Sequence, residues 1–285
     1  MKSINLKRII KKVDDLPTLP RTILKITELV NNPKSSARDL AKVITKDQVL
    51  TARLLKLVNS SFYGFPQKIS TVTGAIVLLG FDAIRNLLLT SSVYALFLEN
   101  NKKEKFRLEE FWDHSLGCAV GAKVIGNYLR NDKVEELFVS GLLHDIGKIV
   151  QVLYFPDDFI KVASMVEEEN VLMITAENQL LDYTHAEIGK LLAEKWNLPL
   201  KLTCAISCHH HPEIESRFFQ EVAVIHLADI LCRAINLGSG GDKKIPPLHR
   251  DAWEILGLKI SALEPIVEEM EREFADISMS VTNPS

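Results

Sequence analysis

The sequence predicts an all-α, two-lobed protein, and three observations support that fold class. Apolar residues recur at spacings of three and four, beginning with Leu19, Ile23, Ile26 and Val30. Segments such as Val134–Leu137 and Ala186–Gly189 lack the alternation of apolar and polar residues that a half-buried strand shows. The breaks between periodic segments carry helix-ending residues, as at Asn131-Asp132 and Asn197-Leu198-Pro199. We therefore expect helices joined by short connections.

The first lobe begins with a helix after Pro20, which the break at Asn31-Asn32-Pro33 ends. Ser36 stands three residues before Asp39, so the two predict a capping box at the start of the next helix. Further helices are predicted over Gln48–Val58 and Val72–Leu98, the latter interrupted near Gly80 and Asp82.

The polar run Glu99–Lys105 is the best candidate for a boundary between lobes. We predict an N-terminal lobe over 1–104, a second lobe over 105–237, and a Gly-rich linker with a C-terminal helical extension over 238–285. The periodicity after the boundary predicts helices over 108–129, 134–153, 157–169, 173–181, 185–196, 199–210, 217–236 and 261–274.

Composition excludes several classes of protein. With 285 residues, 47% hydrophobic and 25% charged, the chain has the composition of a folded globular protein rather than a disordered one. Its formal net charge of −3 gives no global positive field, so direct binding to nucleic acid is not expected. Part of the first lobe, Ala37–Asn59, has a superficial helix-turn-helix pattern, but two packed amphipathic helices are the favoured interpretation, which the acidic balance of the chain supports.

No membrane segment is expected. The most apolar stretch, Val72–Leu98, contains Asp82 and Arg85, and a spanning helix needs about 20 nearly charge-free residues. The N-terminus has no continuous apolar run of the kind that a secretory signal carries. The four cysteines are mostly far apart in sequence, which favours reduced thiols and a cytoplasmic location.

The histidines point to a metal site. Seven of the eight lie between His114 and His226, several of them beside small or apolar residues on predicted helices. The sharpest segment is Gly141–Lys148 (GLLHDIGK), which places an imidazole next to a carboxylate in an apolar helix turn. Asp229 also lies in an apolar stretch, and a buried carboxylate is unfavourable unless a cation pairs with it.

Imidazole and carboxylate ligands without thiolate suit Fe, Mn, Ni, Co or Zn. The candidates along the chain are His114, His144, Asp145, His185, His209, His210 and Asp229. Cys204 and Cys208, four residues apart beside His209, suggest a zinc site as an alternative. Structural zinc normally has four ligands from paired motifs, and because there is no second cysteine pair, buried inert thiols are the simpler interpretation.

The order of these residues resembles the HD-domain superfamily of metal-dependent phosphohydrolases. Three N-terminal segments are similar to landmarks of one branch, the HDOD (HD-related output domain) family of bacterial signalling proteins: Leu16–Pro20 (LPTLP), Leu54–Ser60 (LLKLVNS) and Ala75–Gly80 (AIVLLG). Together, the segments and residues that carry the resemblance span about Leu16 to Leu231. The resemblance implies a helical first lobe followed by an HD-type helical bundle.

The resemblance also implies two divalent transition-metal ions, Fe, Mn, Ni or Zn. The first ion would be held by His114, His144, Asp145 and Asp229. For the second, Asp145 would act as a bridge with His185 and one of the tandem histidines, His209 in preference to His210. His210 would be a further ligand or would support the others. Lys148 matches the lysine of the HD-x-G-K pattern, which meets substrate phosphate in the related HD-GYP group.

Two functions follow from the resemblance. The chain is expected to be a signalling protein with a retained di-metal site, a possible metal-dependent phosphohydrolase acting on a nucleotide or phosphate ester through Asp145 and Lys148. The alternative is a non-catalytic regulatory module with structural metals and a protein partner. A di-iron oxygenase is a third hypothesis. The glycine-tyrosine-proline motif of cyclic-di-GMP phosphodiesterases is missing after His210, where His211-Pro212-Glu213 follows, and Asp47-Gln48 stands where the family usually has Asp-Pro.

Overall fold

A computed structural model describes residues 21–59, 65, 67–100, 107–214 and 217–282 of the chain. Within these ranges the protein contains helices, turns and loops and no strand, which confirms the all-α prediction. The N-terminal residues 1–20, which include the motif Leu16–Pro20, lie outside the described residues, as does Ser60 at the end of the second motif.

The described residues fall into two compact units. Within the described residues, we call 21–100 with 271–282 the N-terminal unit, and 107–270 the central unit. The division predicted from the sequence, with parts at 1–104, 105–237 and 238–285, concerns independent domains and stays a prediction.

Among the described residues, four complete helices and the end of the final helix belong to the N-terminal unit, and the longest of the four contacts the other three. The predicted capping box is present, since the Ser36 hydroxyl accepts from the Asp39 backbone N–H and the Asp39 carboxylate binds the Ser36 N–H. Gly80 interrupts the long helix with φ of 85°, as its position in the sequence predicts. The helices are α1 (Arg21–Asn31), α2 (Ala37–Ile44), α3 (Gln48–Val58) and α4 (Val72–Asn100).

The central unit is a bundle in which helices distant in sequence share one buried interior. Its helices are α5 (Leu108–Tyr128), α6 (Val134–Leu143), α7 (Ile146–Tyr154), α8 (Pro156–Glu169), α9 (Met173–Leu180), α10 (His185–Lys195), α11 (Leu200–Cys208), α12 (Phe219–Ala234) and α13 (Arg250–Leu256). The final helix, α14 (Leu263–Thr282), begins in this unit. Helix α5 packs on α6 and α12, and α10 packs on α7 and α11.

The prediction of one continuous helix over 134–153 was wrong. The chain turns at His144-Asp145, where Asp145 has φ of −99° and ψ of 12°, so that α6 ends and α7 begins. The apolar pattern continues on both sides of the break, which explains why periodicity did not reveal it. A Cβ on Gly147 would overlap the backbone carbonyl of His185, so glycine allows α7 to approach α10 closely.

The other predicted helices are present with ends displaced by a few residues, except that the last helix continues to Thr282 instead of Phe274. Helix α13 (Arg250–Leu256) was not predicted.

Among the described residues, one stretch, Val134–Tyr154, is long and apolar enough to cross a membrane by length and composition. Its apolar window is 89% buried inside the protein. Because a core helix passes the same test, this stretch is weak evidence for a membrane span.

Candidate metal centre

Eight ionisable side chains of the central unit converge in two groups. The first group consists of His114, Cys118, His144 and Asp229, and the second of Asp145, His185, His209 and His210. Within each group, the possible ligand atoms all lie within 4.8 Å of one another. All of these residues are buried except His210, which is partly exposed. The structure thus brings together all seven metal ligands that the sequence suggested, and adds a cysteine.

Asp145 lies between the two groups. Its Oδ2 is 3.3 Å from His144 Nε2 and 3.5 Å from His114 Nε2. Its Oδ1 is 3.2 Å from His185 Nε2 and 3.6 Å from His209 Nε2. One carboxylate therefore offers one oxygen to each group, which is the arrangement that a ligand bridging two ions requires.

Asp229 completes the first group from helix α12. Its Oδ1 lies 3.2 Å from His114 Nε2 and 4.0 Å from His144 Nε2. The same oxygen accepts a hydrogen bond of 2.8 Å from Nε of Arg233, one helical turn further on. Arg233 also binds Asp242, with Nη1 2.9 Å from Oδ1. The guanidinium compensates the charge of Asp229 and fixes its orientation.

Hydrogen bonds to the far ring nitrogen orient three of the histidines. His144 Nδ1 donates to the Gly141 carbonyl at 2.6 Å, and His209 Nδ1 donates to the Ile206 carbonyl at 2.9 Å. His185 Nδ1 donates to the carboxylate of Glu177 at 2.7 Å. Because a carbonyl oxygen can only accept, the first two bonds place a hydrogen on Nδ1, and the neutral form of each of these two rings then has its lone pair on Nε2. This is the tautomer that binds a metal through Nε2.

Three polar atoms of the centre are buried without a hydrogen-bond partner among the described residues. They are His144 Nε2, His209 Nε2 and Asp145 Oδ1. An unsatisfied buried polar atom costs about 1–3 kcal/mol, so native proteins rarely leave several in one place. All three atoms are metal-ligand types and belong to the two groups. A pair of divalent cations would satisfy them, so the residues present fit the metals that the family resemblance implies.

Burial and neighbouring charges shift the pKa values of the histidines of the centre in opposite directions. Burial opposes the imidazolium of His114, yet its contacts with Cys118, Asp145 and Asp229 outweigh that effect and hold its pKa well above the usual value. Burial lowers the pKa of His209 to about 4, and the nearby Asp145 carboxylate offsets only part of that effect. His209 is therefore neutral at pH 7 and able to act as a ligand. At His185 the carboxylates of Glu177 and Asp145 outweigh the effect of burial and raise the pKa of the imidazole.

Lys148 is fully buried, so it is not a solvated surface side chain. Its Nζ donates to Asp145 Oδ2 at 2.6 Å and to the carbonyl of Gly240 at 2.7 Å. Gly240 belongs to the glycine-rich segment Gly238–Asp242, and a Cβ at this residue would lie 3.1 Å from His114 Nε2. The glycine-rich segment therefore covers the first group closely, and glycine is needed there for the approach.

Sequence reasoning missed three residues of the centre. Glu177, fully buried on α9, binds the ring and the backbone N–H of His185 and accepts from Gln151 Nε2. Arg233 was detectable, because an arginine four residues after Asp229 faces it on the same helix. Cys118 stands four residues after His114 and has the same spacing signal.

The remaining histidines and cysteines lie outside both groups. His226 is buried and donates from Nδ1 to the His209 carbonyl, so it supports a ligand's backbone. His211 is exposed and forms an ion pair with Glu213. Cys204 and Cys208 belong to neither of these groups; Cys204 is buried and Cys208 is partly exposed.

Replacing Glu177 with glutamine is expected to weaken binding of an ion in the second group by about 10–100-fold. The substitution keeps the size of the side chain and removes the charge that positions and polarises His185. Metal affinity measured by calorimetric titration checks this. Glu187→Gln, in the exposed capping box of α10, is the control and should leave the affinity unchanged. Equal affinities for both variants and the parent would contradict the role of Glu177.

Comparison with known proteins identifies the family of this chain. The family model of the HDOD domain matches residues 16–212, more than half of the chain. The chain belongs to the HDOD family. This confirms the resemblance inferred from the sequence motifs.

Solved structures share the fold of this HDOD protein. An HDOD domain protein with unknown function from Geobacter sulfurreducens is 29% identical, with a TM-score of 0.79, covering 96% of this chain and 95% of that one. A Shewanella amazonensis SB2B protein named "Putative phosphohydrolase" is 26% identical, with a TM-score of 0.75, and the match covers 96% of this chain and 98% of that chain.

A curated relative, an uncharacterized protein from Treponema pallidum (strain Nichols), is 27% identical over 230 residues. The match covers 79% of this HDOD protein and 44% of the relative. The matched region thus spans less than half the length of that protein.

Proposed function

We propose that this HDOD protein binds two divalent transition-metal ions and hydrolyses a phosphate ester, with a nucleotide as the favoured class of substrate. The observation that carries the proposal is the convergence of three partnerless buried ligand atoms around Asp145, which faces both groups. The name of the Shewanella relative supports the reaction class. The role would be in bacterial signalling, as in the family at large, with a location in the cytoplasm.

Each residue group has a distinct part in this proposal. His114, His144 and Asp229 would hold the first ion, His185 and His209 the second, and Asp145 both. His210 Nε2 lies 3.0 Å from His185 Nε2, so it would be placed to serve as a further ligand for the second ion. Two ions in such a site would supply an activated water at neutral pH and neutralise charge on the phosphoryl group.

Lys148 would place a positive charge beside the reacting phosphate. Preorganised charge in a water-excluded site stabilises a transition state more strongly than it would in water. In the structure the ammonium binds Asp145 and the Gly240 carbonyl, and no part of the side chain is exposed. A substrate therefore reaches Lys148 only when the glycine-rich segment moves away from it.

The burial of Lys148 beneath the glycine-rich segment also favours a second candidate function, a non-catalytic signalling module with structural metals. Besides the bond from Lys148 to the Gly240 carbonyl, Asp242 and Ser239 hold the glycine-rich segment. Asp242 pairs with Arg233 and accepts from the Met173 backbone N–H at 3.0 Å, and the Ser239 N–H donates to the Glu110 carbonyl at 2.8 Å. Metal bound in a site closed in this way would change the stability of the protein and its binding to a protein partner. It would not act on a substrate.

A substrate screen separates the two candidates. The protein loaded with Mn²⁺ is incubated with nucleotides, cyclic dinucleotides and a generic phosphate ester, and phosphate release is followed. The proposed function predicts turnover that Asp145→Asn abolishes and that Lys148→Met reduces by about 10²-fold or more, the range seen when one stabilising donor is removed. Metal binding that raises the melting temperature without turnover of any substrate would refute the hydrolase and support the module.

A further inference from the structure

A thiol faces the ligands of the first group. Cys118 follows His114 by one turn of α5, so both side chains project from the same face of the helix. Its Sγ lies 3.7 Å from His114 Nε2 and is fully buried. The sulfur, His114, His144 and Asp229 form one group whose ligand atoms lie within 4.8 Å of one another. This separation suits one nitrogen and one sulfur bound to the same ion, with metal–ligand distances of about 2.0–2.3 Å.

A second observation indicates that this space belongs to a ligand. His144 is fully buried, its Nδ1 is committed to the Gly141 carbonyl, and its Nε2 has no hydrogen-bond partner among the described residues. That Nε2 belongs to the same group as the sulfur of Cys118. An unpartnered imidazole nitrogen and a thiol that converge on one space fit a metal ion better than simple packing does.

Cys232 is a second buried thiol beside His114, and its contacts differ from those of Cys118. Its Sγ lies 3.5 Å from the opposite ring nitrogen of His114, Nδ1, and it donates to the backbone carbonyls of His114 and Leu237 at 3.5 and 3.2 Å. These two carbonyls are alternative acceptors for its one hydrogen, and Cys232 also contacts the thiol of Cys118. Both buried cysteines lie against His114, and Cys118 is the one beside Nε2, the nitrogen that faces Asp145 and Asp229.

We propose that Cys118 is a thiolate ligand of the first ion, alongside His114, His144 and Asp229. The metal–sulfur bond forms as the S–H proton leaves to solvent, since a coordinating thiol is deprotonated. The inference rests on the proposed metal centre and makes its two sites unlike. The first site offers two nitrogens, a sulfur and two carboxylate oxygens, one of them from the bridging Asp145, and the second offers nitrogens and one carboxylate oxygen. Sulfur selects softer ions, so the first site prefers Zn²⁺, Fe²⁺ or Co²⁺ over Mn²⁺ and Mg²⁺.

Cobalt titration of the full chain tests this directly, because thiolate bound to Co²⁺ gives an intense sulfur-to-metal band in the near ultraviolet. We expect the band to grow with Co²⁺ in the parent protein and to be absent in Cys118→Ser, which still binds the second ion. Cys232→Ser is the matched control, a buried thiol on the same histidine, and should keep the band. Its loss in Cys232→Ser with retention in Cys118→Ser would overturn the assignment.

The remaining outcomes separate this inference from the proposed function. If the parent binds no Co²⁺, the metal centre itself fails. If it binds Co²⁺ without a sulfur band, the centre stands and Cys118 is not a ligand. Should Cys118→Ser fail to fold, X-ray absorption of the zinc-loaded parent decides. A zinc–sulfur distance of about 2.3 Å supports the inference, and a shell of nitrogen and oxygen alone overturns it.

Discussion

Asp145→Asn is expected to abolish the binding of both ions, because Asp145 is the one residue whose two oxygens face both groups of ligands. Loss of a residue that merely supports a ligand weakens metal binding by about 10–100-fold, and loss of a bridging ligand should exceed that range for each ion. Elemental analysis after equilibrium dialysis measures this. Unchanged metal content in the variant would refute the bridging role.

The stability of the Asp145 variant needs its own control. Lys148 is buried against Asp145, and removing one partner of a buried ion pair costs about 3–5 kcal/mol. The double variant Asp145→Asn/Lys148→Met removes both charges and should recover much of that stability while still binding neither ion. Asp158→Asn alters a carboxylate of the same unit that binds Tyr183 and lies outside both groups, so its metal content should match the parent.

Arg233→Leu is expected to destabilise the metal-free protein by about 3–5 kcal/mol. Asp229 and Asp242 are both buried and both bind this guanidinium, so its loss leaves two carboxylates without their main compensating charge. Denaturant unfolding in the presence of a chelator measures the change in the free energy of unfolding. Added metal should restore part of the loss, because Asp229 would regain a cation.

Arg250→Leu provides a control with the same local geometry. Arg250 Nε lies 2.8 Å from a carboxylate oxygen of Glu254, four residues later on a helix, just as Arg233 Nε lies 2.8 Å from Asp229. The Arg250 pair is exposed to solvent, so its removal should change stability little. Similar losses in the two variants would show that burial is not the source of the effect at Arg233.

Much of this fold could be predicted from the sequence, because helical periodicity is a local property. The spacing of apolar residues predicted both ends of α3 correctly. It predicted the ends of α1, α5 and α8 to within about one residue. The break at His144-Asp145 could not be predicted in the same way, since apolar residues continue on both sides of it. Helix α13 is short and follows Pro246-Pro247, so its pattern is too brief to register.

The candidate site was also only partly predictable from the sequence. The seven suggested ligands were visible because an imidazole or carboxylate in an apolar stretch is conspicuous, and the structure places their side chains together. Cys118 was not conspicuous, because a single cysteine among apolar residues is usual in a helix core. Glu177 and the Gly240 carbonyl come from segments brought to the centre only by folding, and a backbone carbonyl has no sequence signal at all.

The central claim is that these side chains hold two ions. It is tested most directly by equilibrium dialysis of the metal-stripped protein against Mn²⁺, and separately against Zn²⁺, followed by elemental analysis and a measurement of melting temperature. The account predicts about two ions retained per chain, with a gain in stability of about 2.7 kcal/mol for each ion when free metal is at 100 times its Kd. A protein that retains no ion and melts at the same temperature with and without metal would contradict it.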